Sequence, residues 1–232
     1  MSHHDAESSP DDLSVKMRDY LVEIYRLSER TPAKEFVSTS ALAELLFVTP
    51  PAVNRMVTRL RQQNMLEHAP YQGIKLTDDG KREARVRLRA HRIAEAFLIE
   101  VMGLGWHEVY PEAARMAAGL TDALLDRMWQ MAGKPLFCPH GEPIPSVDGE
   151  VALIDDLPLT EVVVGVPLTI TRVQTRDADR LMYLKALGLM PGMPVTVHHI
   201  APFNGPMQLK LKDEYRIIGH NLAEQIRAMP TE

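Results

Sequence analysis

The chain has very little cysteine: Cys138 is the only one in 232 residues. An intramolecular disulfide framework is therefore excluded. No apolar run reaches the roughly 18 residues that a membrane helix needs. Catalytic signatures are missing as well. There is no phosphate-cradling Walker loop, no Gly-x-Ser-x-Gly elbow and no His-Glu-x-x-His zincin pair. No internal repeat or low-complexity segment interrupts the sequence. The segment Met1–Asp12 is polar and acidic and lacks the basic-then-apolar order of a signal peptide. It reads as a disordered tail, and the whole as a cytoplasmic protein that is not an enzyme and engages no membrane. His3 and His4 in that tail read as incidental.

Positive net charge is also absent: the sum is −5. The distribution says more than the sum. Between Pro50 and Arg92 stand ten basic residues and four acidic ones, a local +6 in an acidic chain. Such a block suits a localised phosphate-binding surface.

Apolar periodicity orders the elements. Leu13 to Ser28 has helical spacing and ends at Arg30-Thr31-Pro32. Ser38-Thr39-Ser40 can cap a helix bearing Leu42, Leu45 and Leu46. Thr49-Pro50-Pro51 opens another, with Thr49 as cap and proline in the first turn, where no amide hydrogen is needed. Asn64-Met65-Leu66 leads into a hairpin that turns at Tyr71-Gln72-Gly73. A long helix follows from about Lys81 to Met102, then shorter ones near Trp106 to Ala118 and Asp122 to Met131. This order is that of a winged helix-turn-helix with helices appended. The expected fold is mainly α with small β parts. The expected divisions are the tail (1–12), a winged helix-turn-helix DNA-binding domain (13–80), a helical metal-binding and dimerisation domain (81–145), a linker (146–162) and a small SH3-like β-barrel (163–232). The barrel's strands are placed at Val163-Val164, Leu168–Ile170, Val195–Val197, Met207–Leu211 and Tyr215–Ile218. One wing domain cannot cover Leu98, Val101, Leu124, Leu125, Met128, Trp129 and Met131, so a second subunit is expected over some of them.

The helix from Thr49 to Gln63 is the candidate recognition helix. Pro51, Ala52, Asn54 and Arg55 stand near its start, where side chains reach base edges. Arg59, Arg61 and Lys75 suit phosphate, and Tyr71 at the hairpin tip suits the minor groove. A second pattern is metal-like. His91 and Glu95 lie four residues apart on the long helix and share a face, and Asp19 sits on the first helix. Such nitrogen and oxygen donors suit manganese, ferrous iron or zinc. Cys138-Pro139-His140 is a ligand pair for which no partner spacing is visible. His198 and His199 are expected on opposite faces of a strand.

The order of these parts resembles the diphtheria-toxin-repressor family of iron- and manganese-dependent regulators, from about Leu13 to Met229. The carriers are Asp19-Tyr20-Leu21, the Leu42–Leu60 helix-turn-helix, Leu76-Thr77-x-x-Gly80, and His91-Arg92-x-Ala94-Glu95. Cys138-Pro139-His140-Gly141-x-Pro143-Ile144-Pro145 and Leu187-Gly188-Leu189-x-Pro191-Gly192 follow. The last is similar to the FeoA-like domain of ferrous-iron transport accessory proteins. The resemblance implies a homodimer on a palindromic operator, Mn2+ or Fe2+ as effector, and control of metal-uptake genes. It implies Asp19, His91 and Glu95 as ligands, with Asp177 of the barrel as a further candidate. Arg180 stands where iron-type members offer glutamine, which counts against a barrel ligand. The family's remaining ligand positions hold Ala114, Ala117 and Ala118, so half of the primary site is absent. Three accounts stay open: alanines placed to abolish binding, a natural loss of sensing, or a shifted register in which His107, Glu108 or Glu112 substitute. The alternative function is a winged-helix regulator of a small organic ligand, which needs a large apolar pocket in the helical core.

Overall fold

The computed structural model describes residues 13–30 and 36–231. The expected tail and the Thr31-Pro32 break lie outside the described residues. The chain divides into two compact units, one of residues 1–89 with Val147–Gly149, the other of 90–146 with 150–232.

In the first unit, α1 (Val15–Arg30), α2 (Thr39–Leu45) and α3 (Pro50–Gln62) precede the hairpin β1 (Leu66–Ala69) and β2 (Gly73–Leu76). The hairpin is the wing. Its strands pair antiparallel from Leu66↔Leu76 to Ala69↔Gly73, and Val37 bridges to Ile74 on the far side of β2. Gly73 has to be glycine there, because a Cβ would lie 2.3 Å from the Val37 carbonyl oxygen. Ser38 caps α2 by accepting from the amides of Ser40 and Ala41. Thr49 takes the extended cap conformation before α3, but its hydroxyl makes no cap bond; proline fills the first helical positions instead. One core joins Leu21, Ile24, Leu42, Val53, Leu60, Leu66 and Ile74.

Helix α4 (Asp78–Glu100) begins in the first unit and ends in the second. Thr77 starts it: its hydroxyl accepts from the Gly80 amide and donates to the Asn64 carbonyl.

In the second unit, α5 (Val109–Ala117) and α6 (Asp122–Met131) pack with the end of α4 around Ile93, Leu98, Val109, Ala113 and Met128. Thr121 caps α6, as its position suggests. The remaining elements are β3 (Leu157–Pro158), β4 (Pro167–Val173), α7 (Ala178–Ala186), β5 (Pro194–Ile200), β6 (Met207–Leu211), β7 (Glu214–Ile218), α8 (His220–Ala223) and β8 (Ile226–Pro230). The strands make one antiparallel sheet in the order β3-β8-β4-β5-β6-β7. It is an open sheet with β3 and β7 as edges, so the closed barrel expected from the sequence is corrected. Closure would need those two edges to pair.

Three further expectations change. Val163 and Val164 are exposed turn residues, because Gly165 reverses the chain at φ +85°. Strands β3 and β8 are absent from the expected set, although Ile226 and Ala228 of β8 are buried in alternation with Arg227 and Met229. The 146–162 segment is partly built into the sheet: β3 pairs with β8, and Leu159 and Asp156 are buried. Beneath the sheet, Asp156 accepts from Arg172 and Arg227 at 2.6–2.8 Å and from the Thr171 hydroxyl at 2.6 Å. No described helix is long and apolar enough to cross a membrane.

Candidate metal centre and nucleic-acid interface

Helix α3 buries Val53, Met56, Val57 and Leu60 and turns Asn54, Arg55, Arg59 and Arg61 outward. Thr49 and Pro51 are exposed and Ala52 is half-buried. Tyr71 is fully exposed at the wing tip, in the left-handed region at φ 66°. Lys75 is half-buried on β2. The helix dipole favours an electron-rich partner at the start of α3, while Pro50 and Pro51 remove two of the amide donors that a helix start otherwise offers.

The rest of the basic block is directed elsewhere. Lys81 and Arg82 pair with Asp78 and Asp79 one turn back. Arg85 donates to the Tyr25 hydroxyl and Arg87 to Asp19. Arg92 is fully buried. The basic surface expected over 50–92 is thus centred on α3, because the arginines of α4 serve internal contacts.

The second site is built by α4 and a turn. Cys138-Pro139-His140-Gly141 is a tight turn closed by the Gly141 amide donating to the Cys138 carbonyl at 2.8 Å. Gly141 sits at φ +85°, and a Cβ there would lie 2.0 Å from the Thr171 carbonyl oxygen. Only glycine allows this approach to β4. The Val173 amide then donates to the His140 carbonyl. From the helix side, Arg92 donates to the Pro143 carbonyl at 2.5 Å and pairs with Glu142, which also accepts from Arg172 and Gln174. Trp106 stacks on His140 at 5.0 Å and donates its indole N–H to the Pro139 carbonyl.

One helical turn beyond Arg92, Glu95 meets this turn. Glu95, Cys138 and His140 are all buried, and their ligand atoms lie within 4.8 Å of one another. His91 Nε2 stands 3.2 Å from Glu95 Oε1, and His140 Nδ1 stands 3.7 Å from the same oxygen. His140 Nε2 lies 3.1 Å from the Trp106 carbonyl. A carbonyl only accepts, so Nε2 carries the hydrogen and Nδ1 faces Glu95. Burial alone would raise the Glu95 carboxyl, but His91 and His140 hold it well below the usual carboxylate range. Burial, and then the Glu95 carboxylate, push the Cys138 thiol well above its ordinary value.

The sequence-derived ligands therefore separate. His91 and Glu95 meet as their spacing requires. Asp19 is exposed in the first unit, with Arg87 on its carboxylate at 3.2 Å. Asp177 is exposed and caps α7 through the Arg180 amide. Ala114, Ala117 and Ala118 lie on or just after α5 and present methyl groups only, so that donor set does not fit a metal. The possible substitutes are otherwise engaged or outside the cluster. Glu108 accepts from the Gly105 amide and Glu112 pairs with Arg115, while His107 Nδ1 is buried without a hydrogen-bond partner. Cys138 and His140, set aside for want of a partner, are the side chains that complete a cluster with Glu95. The legible signal was two donors two residues apart, followed by Gly141. His198 and His199 are both exposed, because a bulge after Val197 breaks the alternation.

Three families match successive parts of the chain. Residues 12–74 match "Iron dependent repressor, N-terminal DNA binding domain" and 77–146 match "Iron dependent repressor, metal binding and dimerisation domain". Residues 157–230 match the FeoA domain. The iron-dependent repressor IdeR of Mycobacterium leprae is 31% identical over 192 residues, covering 77% of this chain and 81% of the relative. The chain belongs to the iron-dependent repressor family. The diphtheria toxin repressor of Corynebacterium glutamicum is 27% identical over 191 residues, covering 77% of this chain and 81% of the relative. Among solved structures, a manganese-dependent transcriptional repressor in complex with manganese superposes with a TM-score of 0.83 at 27% identity, covering 93% of this chain and all of that one. IdeR of T. acidophilum gives a TM-score of 0.80 at 27% identity, covering 95% of this chain and 100% of that one. Members of the iron-dependent repressor family are DNA-binding transcriptional repressors and not enzymes.

Proposed function

We propose that this chain is a divalent-metal-responsive repressor of metal-uptake genes that binds a palindromic operator as a homodimer. Manganese or ferrous iron is the effector class, and the family's primary metal site is impaired through Ala114, Ala117 and Ala118. The observation that carries the reading is α3. Its apolar face is buried in the wing domain while Asn54 and Arg55 stand exposed in its N-terminal half and Arg59 is exposed in its last turn. Asn54 and Arg55 are assigned to base edges, Arg59, Arg61 and Lys75 to phosphates, and Tyr71 to the wing's groove contact. Thr49, Pro51 and Ala52 supply the close approach of the helix start. The exposed Val101, Met102, Leu124 and Met131 supply an apolar surface for a second copy. A cavity of about 490 Å³ lies among Asn204, Pro206, His220 and Glu224.

The test is selection of duplexes from a random pool, followed by binding in chelator, manganese and ferrous iron. The expected result is an inverted repeat bound more tightly with metal. An Asn54→Ala/Arg55→Ala/Arg59→Ala chain that bound the selected duplex like the parent would overturn the assignment.

A further inference from the structure

We infer that Phe47, in the turn between α2 and α3, is a specificity-determining residue that packs against a thymine methyl group in the major groove of the operator. The inference deepens, and rests on, the DNA-binding reading above. It adds a base contact that lies outside the recognition helix.

The turn closes with two hydrogen bonds. The Phe47 amide donates to the Glu44 carbonyl at 3.2 Å, and the Val48 amide to the Ala43 carbonyl at 3.1 Å. A helix that ends this way puts the residue at position 47 in the left-handed region, where glycine is the usual occupant. Here a phenylalanine takes it, at φ 52°. Bulky side chains seldom adopt that conformation, and they carry strain when they do. On either side of it, Leu46 and Val48 pack against the core of the first unit. Phe47 turns the other way and is 95% exposed. The backbone conformation and the exposed ring are both costs, and a ring so exposed has almost no packing to offset them. Tyr71 at the wing tip shares both features, being fully exposed at φ 66°. Among the described residues of the first unit, these are the two most exposed large hydrophobic side chains.

The position selects the partner. Phe47 stands two residues before the Thr49 cap of α3, within about 7 Å of it along the chain. A recognition helix enters the major groove by its start, and the turn before that start travels with it. The ring has no polar atom, so a hydrogen bond to phosphate or to a base edge is excluded. The apolar group that the major groove presents is the thymine C5-methyl, and phenylalanine is among the side chains that pack on it. Because Leu46 and Val48 anchor the turn, the ring is presented with little backbone left to order on binding.

The experiment uses the full chain and the selected duplex. Each thymine of the half-sites is replaced in turn by deoxyuridine, which removes the methyl group alone. One position should weaken binding of the parent about fourfold per half-site. Phe47→Gly should weaken binding to the thymine duplex about tenfold or more, and should be insensitive to uracil at that position. Its chemical-denaturation midpoint should hold or rise, because glycine suits the left-handed turn. A ring with a purely structural role would move the midpoint down and leave the uracil response intact. The inference is overturned if no uracil substitution weakens the parent, which needs no variant at all. It is overturned as well if Phe47→Gly binds like the parent, if it loses affinity equally on thymine and uracil duplexes (a deoxyribose contact), or if its midpoint falls. Loss of binding in Asn54→Ala/Arg55→Ala/Arg59→Ala with none in Phe47→Gly overturns this contact and leaves the operator reading standing. A uracil effect that depends on Phe47, with the triple variant binding like the parent, overturns the α3 assignment and leaves this contact standing.

Discussion

Asp156 shows how much one buried side chain can organise. Its carboxylate has no exposed side-chain surface and sits between Arg172 and Arg227. Removing one partner of such a group strands the others, at a cost of about 3–5 kcal/mol. Asp156→Ala should therefore lower stability by that amount, read by chemical denaturation. Burial raises its pKa, but hydrogen bonds from Arg172, Arg227 and Thr171 outweigh it and leave the value below normal. A depressed folded value means the stabilisation is present above the unfolded value of about 3.9. It is lost as pH falls through the folded one. The stability gap between the parent and Asp156→Asn should hold at neutral pH and shrink below about pH 4. None of this was legible in sequence, because the carboxylate comes from a segment without periodicity and its partners from two separate strands.

Elements were legible where one face had to be buried. In α3 the buried residues Val53, Met56, Val57 and Leu60 repeat at helical spacing, and proline marks the start. The salt dependence of DNA binding tests its outer face. Arg59→Ala should reduce the slope of log affinity against log salt by about 1 without changing sequence preference. Arg55→Ala should cost about 1–3 kcal/mol and relax preference at one base pair. The Cys-Pro-His-Gly turn was legible as a motif and not as a site. Nothing local in the sequence says that Glu95 of a distant helix meets it. Gly141→Ala should destabilise the chain by more than about 1 kcal/mol, since the position combines positive φ with a 2.0 Å clash. The valines at 163 and 164 misled for a related reason. β-branched residues favour strands only where neighbours are available to pack against.

Across the whole molecule, the charge block was legible in total and not in direction. Arg85, Arg87 and Arg92 lie on the same stretch as the exposed arginines of α3 and turn to Tyr25, Asp19 and the 142–143 backbone and carboxylate. The uncovered apolar residues were anticipated from an excess of hydrophobic side chains over helices. Leu124 and Met131 are about half exposed, at 50% and 52%. Leu124→Glu with Met131→Glu should shift the chain from dimer to monomer in sedimentation, and binding to a two-half-site duplex should fall steeply with it.

Arg92 gives the turn a property that concerns time. Its fully buried guanidinium holds the Pro143 carbonyl and Glu142, so the turn opens only when the packing around it opens too. The Gly141 amide, bonded to the Cys138 carbonyl, should exchange its hydrogen for deuterium at the pace of that larger opening and not at that of a fraying loop.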